Sequence, residues 1–128
     1  MLYSTMATLK LGMDILDNEK VTIDSLTGHG GLFKTEGVGS RYMAAALNTP
    51  ITVMKTAGEG GPYGMALLSA FSYCKTQNTL EEFLTDNVFL SVEKSTLQPN
   101  ISDVDGFNKY ITEYKKLLQV EKTAVDVI

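Results

Sequence analysis

Nine of the eleven glycines lie between Gly28 and Gly64, gathered mainly in Gly28-His29-Gly30-Gly31 and in Gly58-Glu59-Gly60-Gly61-Pro62-Tyr63-Gly64. Each of these clusters follows a short aliphatic and β-branched run and precedes a strongly helical one. Glycine removes Cβ and opens positive φ. A chain that concentrates it at such junctions is building tight strand-to-helix turns with bare main chain, which is the grammar of α/β units.

The periodicity around the clusters agrees. Leu2, Met6, Leu9, Met13 and Leu16 recur at alternating spacings of four and three, predicting a helix to about Asn18 with these residues as its buried stripe. Val21, Ile23 and Leu26 predict a strand over about 21–27 that runs into the first glycines. Thr35 is placed to cap a helix whose Arg41-to-Asn48 part, with Ala44-Ala45-Ala46-Leu47, is strongly helical. Asn48 and Pro50 end it, Ile51-Thr52-Val53-Met54 predicts the second strand, and Pro62 falls in the first turn of a helix reaching about Cys74. Helix, strand, helix, strand, helix over residues 1–76 predicts parallel strands joined by crossover helices. Both glycine clusters then fall at the C-terminal ends of strands, where open α/β sheets place their ligands.

Residues 77–128 form an appendage expected to pack on the same domain. Thr79 and Glu82 have capping-box spacing for a short helix to about Asp86, and 88–98 reads as irregular or as a short surface strand. Ser102 is the expected cap of a last helix with Phe107, Tyr110, Ile111, Tyr114, Leu117 and Leu118 along one face.

Several function classes are disfavoured. Eleven Lys and Arg against fifteen Asp and Glu leave a net charge of −4, the wrong sign for a nucleic-acid surface. No run approaches the roughly 20 apolar residues of a membrane span. Cys74, the single cysteine, cannot form an intrachain disulfide, which suits a reducing cytoplasmic setting. Its neighbours Leu67, Leu68 and Phe71 predict a buried core position. One histidine and one cysteine are too few for a zinc cluster, His29 is a poor candidate for a catalytic base, and Glu59 has no acidic partner in view.

The turn Leu26-Thr27-Gly28-His29-Gly30-Gly31 lets main-chain N–H groups approach an anion, with a helix start behind it. It is neither a Walker A loop nor Gly-x-Gly-x-x-Gly, so by itself it could equally be structural. Small residues in the second cluster would likewise let the following helix pack closely on the sheet.

Together with Ala44-Ala45-Ala46-Leu47-Asn48-Thr49-Pro50-Ile51 and with Gly58 through Ala70, that turn resembles the C-terminal part of the FGGY carbohydrate kinases. Within the family the likeness is to xylulokinase and ribulokinase, and Val92-Glu93-Lys94-Ser95-Thr96-Leu97-Gln98-Pro99 resembles the same subgroup. The chain departs from the common pattern at His29 and in the longer connection from Leu32 to Gly39.

The resemblance implies an actin-like ATPase (ribonuclease H-like) fold of two domains with ATP in the cleft between them. Gly28, Gly30 and Gly31 would then lie against the adenosine side of the nucleotide, with His29 of the same turn placed to contact it and Lys34 and Arg41 as weaker contributors. It implies transfer of the γ-phosphoryl group of Mg-ATP to a sugar hydroxyl, by positioning, charge neutralisation and a carboxylate that accepts the hydroxyl proton. The family's catalytic Asp, sugar-binding residues, phosphate-gripping hairpins and three further strands belong to sequence preceding the part matched here.

Two strands alone make an incomplete sheet with exposed edges. The expectation is therefore a C-terminal portion of a sugar kinase, inactive alone and prone to self-association through the sheet edge or the first helix. The alternative is a non-catalytic interaction module whose glycine turns are only structural and whose Leu2-to-Leu16 stripe meets another subunit.

Overall fold

The computed structural model describes residues 2–74 and 78–127. Helix α1 (Leu2–Asn18) has the predicted limits. It ends with Val21 N–H donating to Leu16 C=O and Lys20 N–H to Asp17 C=O, both at 3.0 Å, while Lys20 sits at φ 59°. This is the Schellman closure, with a lysine where glycine is usual. The closure also corrects the expected strand over 21–27. Residues 21–25 bring the chain round in irregular conformation, and β1 spans only Leu26–Gly28.

β1 pairs in parallel with β2 (Ile51–Met54), Leu26 opposite Ile51 and Gly28 opposite Val53. The crossover helix α2 (Val38–Leu47) begins three residues before Arg41. Its N-cap is Gly37 at φ 73°, and the expected cap Thr35 instead accepts from Val38 N–H through its main-chain carbonyl at 3.3 Å. Ala44, Ala45 and Ala46 are all buried. Three consecutive helical residues point in different directions, so α2 is enclosed on several sides, and methyl-sized side chains let its neighbours close around it.

Among the described residues the sheet has three strands, the short surface strand allowed for 88–98 joining the two expected ones. β3 (Lys94–Leu97) runs antiparallel to β2, pairing Leu97 with Ile51 and Lys94 with Met54, and makes β2 the central strand. The Thr52 and Thr96 hydroxyls, 2.9 Å apart, add a cross-strand side-chain bond.

α5 (Ile101–Asp126) lies against α2 and α1. Its cap is Asn100, whose Oδ1 accepts from the N–H groups of Ser102 at 2.9 Å and Asp103 at 3.4 Å, so Ser102 belongs inside the first turn. Phe107 and Ile111 are buried with Met6, Ala7 and Ala46, and Tyr3, Tyr42, Tyr110 and Tyr114 pack around them. Burial of Phe107 alone contributes about 2–3 kcal/mol. Of the expected stripe Leu117 is exposed, while Leu118, one turn beyond Tyr114, is half-buried.

The packed face of α1 is rotated from the expected one. Tyr3 reaches between Tyr42, Phe107 and Tyr110 with ring centroids 5.3–5.4 Å away. That insertion turns Tyr3, Met6 and Ala7 inward and leaves Leu2, Leu9 and Leu16 on the outer side.

α3 (Gly60–Cys74) buries no residue, so Cys74, expected in the core, is exposed at its end. α4 (Leu80–Leu84) carries the predicted capping box: Glu82 N–H donates to Thr79 Oγ1 at 3.2 Å, and Thr79 N–H to Glu82 Oε2 at 2.8 Å. A π-type turn, Thr85–Phe89, follows. Phe83 of α4 meets Phe71 of α3, centroids 5.4 Å apart. The expected boundary between 76 and 77 lies outside the described residues.

Candidate functional site

The two glycine clusters meet. β1 and β2 are parallel neighbours, so their C-terminal ends open on the same side of the sheet. The chain leaves β1 through His29 and Gly30 into a 3-10 turn, Gly31–Phe33, and leaves β2 through Lys55 and Thr56 into a second one, Ala57–Glu59. Gly30 N–H donates to Ala57 C=O at 2.7 Å and stitches the two together. Gly60 lies against His29, where an added Cβ would stand 3.1 Å from His29 Cβ and 3.3 Å from Nδ1. Gly58 lies in the same way under Lys34.

The five residues expected to face a nucleotide take different positions in this joint. Gly28 is buried, and the ring of Phe33 occupies the space that a Cβ there would need. Gly30 has φ 104° and ψ −178°, a conformation that is essentially glycine-only. Above Gly30 and Gly31 an added Cβ would meet nothing within 4 Å. His29 is exposed beside them. Lys34 Nζ forms an ion pair with Glu59 Oε1 at 2.6 Å, which gives the carboxylate of the second cluster a basic partner from the first.

Arg41 is turned elsewhere. Its Nε and one terminal nitrogen donate to the two Asp103 carboxylate oxygens at 2.6 and 2.9 Å, tying α2 to α5. The hydrogen bonds from the guanidinium hold the Asp103 carboxyl below its ordinary range, and the carboxylate raises Arg41 in turn. Asp14 is similarly bridged. Burial, the largest influence, pushes its pKa up, but hydrogen bonds from Lys10 and Lys115 outweigh it and leave the carboxyl lowered.

Three contributors escaped the sequence reading: Phe33 beneath Gly28, the Lys34–Glu59 pair, and Ser40, buried in the first turn of α2. The opposite charges of Lys34 and Glu59, one in each cluster, were the available signal for the pair. Thr56 Oγ1, at the start of the second turn, is enclosed without a hydrogen-bond partner among the described residues.

The model of the C-terminal domain of the FGGY family of carbohydrate kinases matches residues 1–73. The chain belongs to that family. The FGGY match includes both glycine clusters and runs from α1 to the last turn of α3, whereas α4, β3 and α5 lie beyond it. Neither the curated proteins nor the solved structures gave a match. As an FGGY C-terminal domain, the chain is a carbohydrate-kinase component built as a small α/β unit with a mixed three-stranded sheet. Among the described residues, no helix is long and apolar enough to cross a membrane.

Proposed function

We propose that this chain is the nucleotide-binding portion of the C-terminal lobe of an ATP-dependent pentulose kinase, xylulokinase-like in preference to ribulokinase-like, with an actin-like ATPase fold. The observation that carries the reading is the stitched pair of glycine turns at the ends of β1 and β2. The residues present fit a nucleotide. Bare main chain at Gly30 and Gly31 leaves a surface with no side chain in the way, and His29 and Lys34 border it. Gly28 serves beneath, by admitting Phe33.

Mg-ATP supplies the transferable phosphoryl group and the cation that offsets its charge. Among the described residues, no three of His, Cys, Asp and Glu gather into a ligand set. Mg²⁺ is ordinarily held by substrate phosphates and one or two carboxylates, and the reading leaves those carboxylates to the rest of the enzyme. The companion lobe provides the Asp that accepts the hydroxyl proton and the residues that hold the sugar, and this chain alone does not phosphorylate sugar. The enzyme acts in the cytoplasm, with residues 1–76 forming the nucleotide-binding portion and 77–128 the appendage.

Calorimetric titration with Mg-ATP and a phosphorylation assay over a panel of pentuloses test this on the enzyme containing both lobes. ATP binding that is lost on Gly30→Val, with pentulose turnover only when both lobes are present, is the expected result. Turnover by the 128 residues alone would refute the division of labour.

A second reading is supported by the outward Leu2, Leu9 and Leu16 and by the outer edge of β1, which has no strand partner among the described residues. We propose that the isolated chain self-associates there. Sedimentation that shows only monomer at high concentration would overturn that proposal.

A further inference from the structure

We propose that the cleft between the start of α2 and the adjoining ends of β2 and β3 is a subsite for a phosphate monoester dianion, with Ser40 as its central ligand. The cleft has a volume of about 600 Å³, and its wall includes Lys34, Gly37, Ser40, Lys55 and Lys94. A volume in this range accommodates a small phosphorylated metabolite.

Two independent observations converge. The first is the N-terminus of α2, a ten-residue helix that starts at Gly37 without a side-chain cap. The N–H groups of Gly39 and Ser40 have no acceptor among the described residues, and aligned peptide dipoles give this end a partial positive charge. The second is Ser40 itself. The residue is only 7% exposed, and its hydroxyl has no hydrogen-bond partner among the described residues. A hydroxyl with no protein acceptor is free to donate to a ligand. Thr56 Oγ1 is sealed from solvent, but Ser40 Oγ is not, and the opening it retains is the cleft that the residue lines.

The charges set the class of ligand. Lys34 is held by Glu59 and Lys55 by Glu93, at 2.6 and 3.0 Å, whereas Lys94 has no ion-pair partner among the described residues. Glu36 opposes them in the wall. One free cation, the helix terminus and a hydroxyl donor suit a single phosphoryl group better than a polyphosphate.

Of the residues in the nucleotide reading only Lys34, held by Glu59, lines this wall, and Gly28 to Gly31 do not, so the subsite does not rest on that reading. The phosphoryl group can come from a nucleotide reaching across from the neighbouring turn or from a separate phosphorylated metabolite. The experiment is an amide NMR titration of the full chain with inorganic phosphate, at ionic strength fixed with chloride. Saturable shifts at Gly37, Gly39 and Ser40 are expected. Ser40→Ala should weaken phosphate binding roughly 10- to 100-fold, the effect of losing a hydrogen bond to a charged group. Lys94→Gln, on the exposed edge strand and away from the core, should weaken it several-fold in a fully folded protein.

Equal affinity in wild type and Lys94→Gln, or shifts that never saturate, would overturn the proposal. Repeating the titration with saturating ATP distinguishes the sources. Competition identifies the nucleotide's phosphate, simultaneous binding identifies a separate metabolite, and the subsite stands in either case. Phosphate binding in a chain that ignores ATP would leave the subsite intact and remove the nucleotide reading.

Discussion

Substituting Gly30 and, separately, Gly31 divides backbone strain from ligand contact. At φ 104° and ψ −178°, Gly30 occupies a region that costs an L-residue about 1–3 kcal/mol. Space is not the limit, because an added Cβ meets nothing within 4 Å. Nor can the main chain relax freely, since Gly30 N–H is held by Ala57 C=O at 2.7 Å and its carbonyl accepts from Phe33 N–H at 3.0 Å. Releasing either bond costs about 1 kcal/mol, similar to the strain it would relieve.

Gly30→Ala should therefore lose about 1–3 kcal/mol, with Gly30→Val at the upper end because β-branching resists positive φ. A domain at the low end of normal stability, about 5 kcal/mol, would retain about 2 kcal/mol and stay about 97% folded. Binding can then be measured on folded protein. Gly31 has equally open space but no positive φ, so Gly31→Ala should leave stability within about 0.5 kcal/mol while obstructing the same main-chain surface.

Urea unfolding and ATP titration of the three variants read out the two effects. The expected pattern is stability lost only at position 30 and ATP affinity lost at both. An unstrained Gly30→Ala would refute the conformational argument. Unchanged ATP affinity in folded Gly30→Val and Gly31→Ala would refute main-chain contact with the nucleotide.

Lys20→Gly, at φ 59° in the closing turn of α1, should raise stability by up to about 1 kcal/mol, read as a higher urea midpoint with an unchanged slope. The Arg41–Asp103 pair makes stability depend on acid pH. The folded pKa of Asp103 lies below its unfolded value, so the contribution is complete above the unfolded value, about 3.9, and is lost as pH falls through the folded one. Thermal melts from about pH 6 downward should show that acid-side loss reduced in Asp103→Asn. Phe107→Ala removes a fully buried ring in contact with Tyr3 and Tyr110, and should cost about 3–5 kcal/mol, enough to unfold much of the chain by circular dichroism.

The elements that were legible in the sequence carry their own local signal. α1, β2, α3 and the α4 capping box follow from periodicity, β-branched content, a first-turn proline and a Thr-x-x-Glu spacing. The elements left open or only partly read are decided by contacts distant in sequence. Lys94-Ser95-Thr96-Leu97 shows no apolar alternation because most of the strand is exposed, and its place is set by the β2 ladder and the Thr52–Thr96 bond. The face that α1 buries is legible only in part: Met6 is buried and Met13 half-buried, whereas Leu2, Leu9 and Leu16 outnumber the single Tyr3 in the sequence and yet lie outward. The aromatic cluster formed with Tyr42, Phe107 and Tyr110 nevertheless determines the rotation of the helix.

The crowding of glycine between residues 28 and 64 announced a site, but composition could not say which glycines face outward, because the reasons for lacking Cβ are not alike. Gly28, Gly39, Gly58 and Gly60 are small because Phe33, Leu32, Lys34 and His29 press on them. They hold the two turns and the start of α2 together, and a ligand need never touch them. Gly30 supplies the backbone geometry, while Gly31 needs neither positive φ nor close packing yet lies next to it with open space above. A residue whose smallness no internal neighbour explains is the one whose substitution tests for something outside the fold. Packing therefore accounts for four of the nine glycines and leaves Gly30, Gly31, Gly37, Gly61 and Gly64 open, of which Gly30 and Gly31 are the two in the turn on which the kinase reading depends.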